Sequence, residues 1–440
     1  MKAVEAVKVA VSTAAWHGDR TEELSFPKGW NVTTHWPATP APLSDAAIAA
    51  ALAEPVGQPP LRDLALGRER PVIVVDDLTR PTPAADVLPH VLAELDEAGI
   101  RAEQVRIVIG TGTHGTVSAQ SIAAKVGEQV MARCRVLGHD DGHNLVWVGR
   151  TTRGTPVVVN REVSECDLLV GLGGVYPQHT VGFGGGAKIV LGVLGRRTIR
   201  ALHYRHDSVD GSYDFDNGFR RDLTEIARMV RLESAIAVHV DAARKIVRVT
   251  AGEPAGYFRD AVDFATTAFA APPPGDADVV IANAYPMDVS LTVMRSKGII
   301  PLLHARPGAS RVLMAAVPEG VGSHGLFPFM NAPRFQAQRH LTRVAMAHPG
   351  DVPAKLVRRL VRRSAPTALS APPAARNPIW LYPPGVPYGG LPADIPGMTA
   401  CYRWDQIIEA VAAEQGGRSD LKVVVYPCAP LQVLGGVITD

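Results

Sequence analysis

Cysteine is scarce in this chain of 440 residues: Cys134, Cys166, Cys401 and Cys428 are far apart and share no metal-site or redox spacing. That excludes a disulfide scaffold and a cysteine-based zinc module, and it suits a reducing compartment. No run of about eighteen apolar residues occurs, so no spanning helix is expected. The opening "MKAVEAVKVAVSTAAW" lacks the basic, apolar and small-residue order of a secretory leader. A cytoplasmic protein without a membrane partner is the expectation. Charge of one sign is missing as well, since 45 Lys and Arg meet 43 Asp and Glu for a formal net charge of +2. Nucleic acid is therefore not an expected partner.

What is present describes a globular protein: 46% apolar residues, 20% charged residues, and 41 Gly and 36 Pro spread along the chain as turn formers. The length exceeds one ordinary core, which favours two domains of roughly 150 to 250 residues. Strand-like "RPVIVVDD" (70–77), helix-like "PAADVLPHVLAELDEAG" (83–99) and strand-like "QVRIVIG" (104–110) follow one another in the rhythm of parallel βαβ units. Further strands are expected at "NLVWVGRT", "TPVVVNREV", "DLLVGLGGV", "AIAVHVD" and "KIVRVTA". Helices are expected near 186–203, 219–232 and 256–270.

"AAPPPGDAD" (270–278) reads as a linker, because consecutive prolines cannot continue a helix. Beyond it, "VVIANAYP", "SRVLMAAVP", "NPIWLYP" and "LKVVVYP" predict a second, smaller α/β unit. The fold class is α/β, with mainly parallel sheets in two domains, 1–270 and 278–419, and an active site in the cleft between them. The last strand, within 420–440, is free to belong to either. "KLVRRLVRRS" (355–364) alternates an apolar and a basic helical face, read as a solvated surface rather than an anion patch.

Three stretches offer chemistry. "DDLTRPTP" (76–83) ends a buried strand with Asp77 and Arg80, an acid beside a guanidinium whose planar fork suits a carboxylate. "GTGTHG" (110–115) follows a strand and matches G-x-G-x-x-G at Gly110, Gly112 and Gly115. No acidic residue closes a second strand about twenty positions later, as a dinucleotide site needs. His114 within it is read instead as an imidazole at the mouth of a βα loop, where α/β sheets place ligands.

The third stretch, "GFGGGAK" (182–188), would let backbone approach a ligand closely at Gly184, Gly185 and Gly186 and puts Lys188 in the first turn of the expected helix. Ala187 and Ile189 flank the lysine where a Walker loop needs Gly and Ser or Thr, so triphosphate hydrolysis loses its support. His203 lies 15 residues after Lys188, about four helical turns, and no second ligand at zinc spacing accompanies it.

Together these stretches, with "ELSFPKGWNV", "RGTPVVVNREV" and "YPMDVSLTVMRSKG", resemble the nickel-pincer lactate racemase family of 2-hydroxyacid racemases and epimerases. The resemblance implies a pyridinium mononucleotide carrying thioamide and thiocarboxylate groups, covalently attached at Lys188, with its nickel completed by His203 in square-planar geometry. It also implies hydride removal from a 2-hydroxyacid and its return to either face of the planar 2-oxo acid, which avoids a carbanion at a weakly acidic carbon. Within it His114 is a catalytic histidine, Arg80 and Lys297 hold the substrate carboxylate, Asp77 orients the site beside the cofactor, and separate maturation proteins build that cofactor.

Two departures from the family pattern stand out. The family's second catalytic histidine falls on Gln178, with His179 one position later: either a one-residue shift lets His179 serve as the second catalytic histidine, or that base is absent, since an amide cannot accept a proton at neutral pH. Before Lys297, Thr292, Val293 and Met294 replace the more polar residues of lactate-acting members, which implies a substrate other than lactate. Arg295 would offer a further anion contact. The competing readings are an oxidoreductase with a dissociable nicotinamide cofactor at the 110–115 loop, and a non-catalytic relative that binds hydroxyacid or nucleotide without turnover.

Overall fold

The computed structural model describes residues 7–178, 180–205, 213–294, 297–322, 324, 378–393, 395 and 397–435. His179, His206, Arg295 and the basic stretch 355–364 lie outside the described residues.

Two six-stranded sheets organise the chain. In the first, the spatial order is Ile246–Gly252, Leu232–Val240, Leu168–Gly174, Pro71–Asp76, Arg106–Gly110, Arg135–Gly138. Every neighbour is parallel except the terminal pair Leu232–Val240 and Ile246–Gly252. The two central strands, PVIVVD and LLVGLGG, are buried at every position, which is why they read as continuous apolar runs rather than alternating ones. From Pro71–Asp76 the chain builds outward to one side, then returns to lay Leu168–Gly174 on the other. The strand order therefore reverses between these two, and a doubly wound sheet binds ligands at the carboxyl ends of such a pair.

The second sheet, also parallel throughout, runs Met398–Ala400, Ile379–Tyr382, Ser310–Met314, Val279–Asn283, Lys422–Tyr426, Asn31–Thr34. A hairpin, Val7–Thr13 with Arg20–Phe26, packs Val11, Leu24 and Phe26 against Val279, Ile281, Val312 and Val425. The late strand whose membership was open thus lies inside the second sheet. Its apolar KVVVY needs a neighbour on each side, and the more exposed NVTT of Asn31–Thr34 supplies the outer one. The first 34 residues, expected with the first unit, contribute this edge strand to the second sheet. Within the expected linker, Ala270–Ala271 pairs with Val433–Leu434.

One core group makes the fold sensitive to acid. His239, inside Leu232–Val240, donates from Nε2 to the Ala261 carbonyl at 2.9 Å, and burial pushes its pKa down to about 3. The unfolded chain takes up this proton near pH 6.5 while the folded chain refuses it. Stability is therefore full above about pH 6.5 and falls below it by about 1.4 kcal/mol per pH unit. Urea midpoints at pH 7 and pH 5 should differ by the equivalent of about 2 kcal/mol from this group, and His239→Gln should flatten that slope.

Candidate functional site

Asp76 ends the central strand Pro71–Asp76, Asp77 and Arg80 follow it, and His114 follows its neighbour Arg106–Gly110. Asp76 anchors the turn: its carboxylate accepts from Thr82 Oγ1 at 2.6 Å and Gly174 N at 3.0 Å, and pairs with Lys125 at 2.6 Å. Lys125, fully buried, also donates to the Arg80 carbonyl at 3.2 Å, as does Trp16 Nε1 at 3.2 Å. Arg80 is thereby fixed by its backbone while its guanidinium lies 5.8 Å from the Tyr176 ring centre.

Asp77 and His114 form a tight pair, Nδ1–H donating to Oδ2 at 2.7 Å. The other carboxylate oxygen accepts from Thr79 N at 3.1 Å and from Thr79 Oγ1. Burial alone would raise the Asp77 carboxyl, but His114, with Arg80 and Thr79, outweighs it and holds the group well below the usual carboxylate range. An ionised Asp77 fixes the His114 tautomer and leaves the ring's lone pair on Nε2.

The glycines of the 110–115 loop have a packing cause. Gly112 N donates to the Gly192 carbonyl at 2.8 Å, and a Cβ on Gly192 would meet Gly110 O at 2.6 Å. The next helix begins only at Ala119, capped by Ser118, so the loop presents no helix N-terminus to a pyrophosphate. The motif joins two stretches of backbone.

Its partner is the segment bearing Lys188. The expected helix over 186–203 is two elements, a 3₁₀ segment Gly186–Val193 and an α-helix Arg196–Arg205. The break falls at Leu194, which is extended, and Gly195, whose N–H donates to the Val158 carbonyl at 2.8 Å. Strand glycines make room for the first element: a Cβ on Gly171 would meet Ile189 at 2.6 Å. The side-chain positions of Gly184, Gly185 and Gly186 face Tyr176, Val175 and Phe258, so these glycines admit protein. Gly186 N–H donates to Tyr257 Oη at 2.9 Å. Arg220 supports the turn by donating to the carbonyls of Gly185, at 3.0 Å, and Phe183.

Lys188 is partly buried. Burial, then the positive charges of Arg80 and Arg220, push its pKa down to about 7 against the weaker pull of Asp77 and Asp76. Lys297, buried and arriving from the second sheet, is lowered by burial and then by Arg80 and Lys188. In the last turn of Arg196–Arg205, His203 donates from Nδ1 to the Ile199 carbonyl at 2.8 Å and sets its ring against Phe219, centroids 5.0 Å apart. Its lone pair therefore sits on Nε2.

One more imidazole enters, which sequence reasoning missed. The ring centroid of His324 lies 5.2 Å from that of His114. Burial, then His114, His203, Arg80 and Lys297, hold its pKa down to about 2. These electrostatic neighbourhoods join Asp77, Arg80, His114, Lys188, His203, Lys297 and His324 in one region fed by both sheets. Gln178 stands apart in role: its side-chain oxygen accepts from Thr180 N at 2.8 Å and Val181 N at 2.9 Å, closing a turn.

Comparison with known proteins gives this arrangement its relatives. Residues 17–211 match the lactate racemase N-terminal domain family. Lactate racemase of Thermoanaerobacterium thermosaccharolyticum is 30% identical over 291 residues, spanning 63% of this chain and 67% of that protein. The chain belongs to the lactate racemase family. Lactate racemase of Lactiplantibacillus plantarum is 27% identical over 286 residues, with the same coverage. The fold agrees: the lactate racemase apoprotein structure from T. thermosaccharolyticum superposes with a TM-score of 0.71 at 21% identity, covering 97% of this chain and all of that one. A Thermotoga maritima structure superposes at 0.58 and 15% identity, covering 90% and 99%.

Membership of the lactate racemase family makes the chain a racemase-type enzyme and removes the main support for a nicotinamide oxidoreductase. The family match spans Asp77, Arg80, His114, Lys188 and His203. It ends before Lys297 and His324. No described helix is long and apolar enough to cross a membrane.

Proposed function

We propose that this protein racemises or epimerises a 2-hydroxyacid other than lactate, using a nickel-pincer nucleotide attached at Lys188. The observation that carries the reading is the Lys188 amine, held near neutrality beside two further cations and an Asp–His pair. A lysine with a pKa of about 7 is half unprotonated at neutral pH, as attachment through nitrogen requires. Among the described residues no three His, Cys, Asp or Glu gather around a metal position. A nickel ion bound through His203 would draw its other ligands from the pincer nucleotide, which has such donors. The residues fit the cofactor. When bound, it supplies a reversible acceptor for the hydrogen at C2 with its electron pair.

The chain's own residues do the rest. Arg80 and Lys297 bind the substrate carboxylate, and an anion between them relieves the repulsion that lowers Lys297. His114 accepts the hydroxyl proton at Nε2 while Asp77 stabilises the imidazolium that results. The planar 2-oxo acid stays on the same two cations and is restored on either face. The substrate lies between a first unit, 1–270, that carries the tether and a second, 278–419, that carries Lys297, with the hairpin and edge strand before residue 35 assigned to the second.

Specificity away from lactate is supported beside Lys297. Leu291–Met294 forms a short buried helix whose Thr292 hydroxyl donates to the Val321 carbonyl at 2.6 Å, leaving Val293 and Met294 to give this stretch an apolar character. Maturation proteins that build and load the nucleotide are the implied partners, and the cytoplasm is the compartment.

The test is intact mass and metal analysis after co-expression with such proteins. His203→Ala should keep the organic adduct and lose nickel, from one per loaded chain to near none. Unchanged nickel would place the ligand elsewhere. A loaded wild-type protein that exchanges no hydrogen with any chiral 2-hydroxyacid would favour the non-catalytic relative.

A further inference from the structure

We infer that His324 is a catalytic residue of this site, the second imidazole that exchanges the substrate's hydroxyl proton. The inference rests on the racemase reading above and extends it to a residue that the glycine loop and its flanking motif do not contain.

A reaction that runs from either hand of a 2-hydroxyacid needs a proton acceptor for each. His114 supplies one. At the position where the family pattern places the other, Gln178 has an amide, and its oxygen is spent on two backbone N–H groups. Amides do not take up protons at neutral pH.

His324 reaches the same space from the opposite direction. It follows the strand Ser310–Met314 of the second sheet, whereas His114 follows Arg106–Gly110 of the first. The two rings meet edge to face, centroids 5.2 Å apart and planes inclined by 63°. Thr113, adjacent to His114 in sequence, places Oγ1 3.5 Å from His324 Nδ1.

His324 also feels the charge of both proposed carboxylate cations, Arg80 and Lys297. The hydroxyl of a 2-hydroxyacid is carried on the carbon next to the carboxylate. A carboxylate held by those two cations would carry its hydroxyl toward the His114 and His324 rings, 5.2 Å apart.

The bookkeeping closes. The hydrogen at C2 leaves with its electron pair and returns within one turnover, so substrate and product have the same oxidation state. The hydroxyl proton passes to one ring, crosses to the other, and returns from there to the oxo oxygen, so a single proton serves the turnover and both rings end as they began.

The test uses holoprotein loaded by co-expression, with D- and L-lactate and D- and L-malate deuterated at C2 as probes, and oxamate as a planar 2-oxo acid analogue. His324→Asn should keep the mass adduct, the nickel content and the oxamate affinity of wild type. Its interconversion rate should fall by about 10²-fold or more. In a single turnover, 2-oxo acid should still form from one hand and no longer from the other. His324→Ala should regain activity with added imidazole, which a merely structural role would not allow.

Interconversion within about threefold of wild type would overturn the assignment, as would loss of nickel or of oxamate binding in step with activity. If loaded wild-type protein interconverts none of the probes, the racemase reading for these acids fails first and the role of His324 falls with it. Comparing wild type with variant tells the two failures apart.

Discussion

Lys188→Ala should yield a folded protein that leaves co-expression with the mass of its bare polypeptide and with racemisation lowered at least about 10³-fold, because the route through hydride removal is gone. Folding is not at stake. The repulsion of Arg80 and Arg220 outweighs the attraction of Asp77 and Asp76 at this side chain, so removing it relieves more charge strain than it creates and allows Lys297 to recover part of its basicity. Lys188→Arg should be as inactive, since a guanidinium stays protonated and cannot be acylated under these conditions. The wild-type apoprotein provides a second check: with a pKa of about 7, Lys188 should be acylated ahead of ordinary lysines at neutral pH. The rate should rise with pH through that value and level off above it. A full adduct on the alanine variant would remove the tether.

His114→Ala is the second large effect, a loss of about 10²- to 10⁴-fold in turnover with adduct mass and nickel content unchanged. The distinction matters because His203 and His114 are both imidazoles that act electrostatically on His324, and only metal analysis separates a ligand from a base. Asp77→Asn should lower turnover by a similar route. The carboxylate that fixes His114 Nδ1–H at 2.7 Å becomes an amide able to present its own N–H, which turns the ring's lone pair to the wrong nitrogen. Normal activity in His114→Ala would end its role as base.

Legibility from sequence followed burial and locality. Continuous apolar runs such as VIVVD and VVIAN became central parallel strands, since a strand covered on both faces has no polar positions. Asn31–Thr34 was not legible. Four residues of NVTT carry too little pattern, and their place depends on a partner strand at 422–426, far away in the chain. The same holds within the site. Asp77, Arg80, His114 and Lys188 sit in glycine- and proline-marked loops at strand ends, where motif and geometry coincide. His324 stands in "EGVGSHG", a stretch with no periodicity, and only the packing of one sheet's loops against the other's reveals its neighbours. The helix expected over 186–203 failed for a related reason: its apolar residues face a sheet across glycines, and backbone contact with Gly110 imposes a tighter coil than helical periodicity suggests.

The meeting of Gly110 and Gly192, where no side chain fits, binds the loop of the proton acceptor to the segment of the anchoring amine. A shift of either segment must therefore move the other. The apolar turn at 291–294 is tied instead to the segment leading to His324, with Leu291 N–H donating to the Gly320 carbonyl at 2.9 Å and Thr292 N–H to that of Val321 at 3.0 Å. Substitutions in that second segment should therefore leave the junction of Gly110 and Gly192 in place.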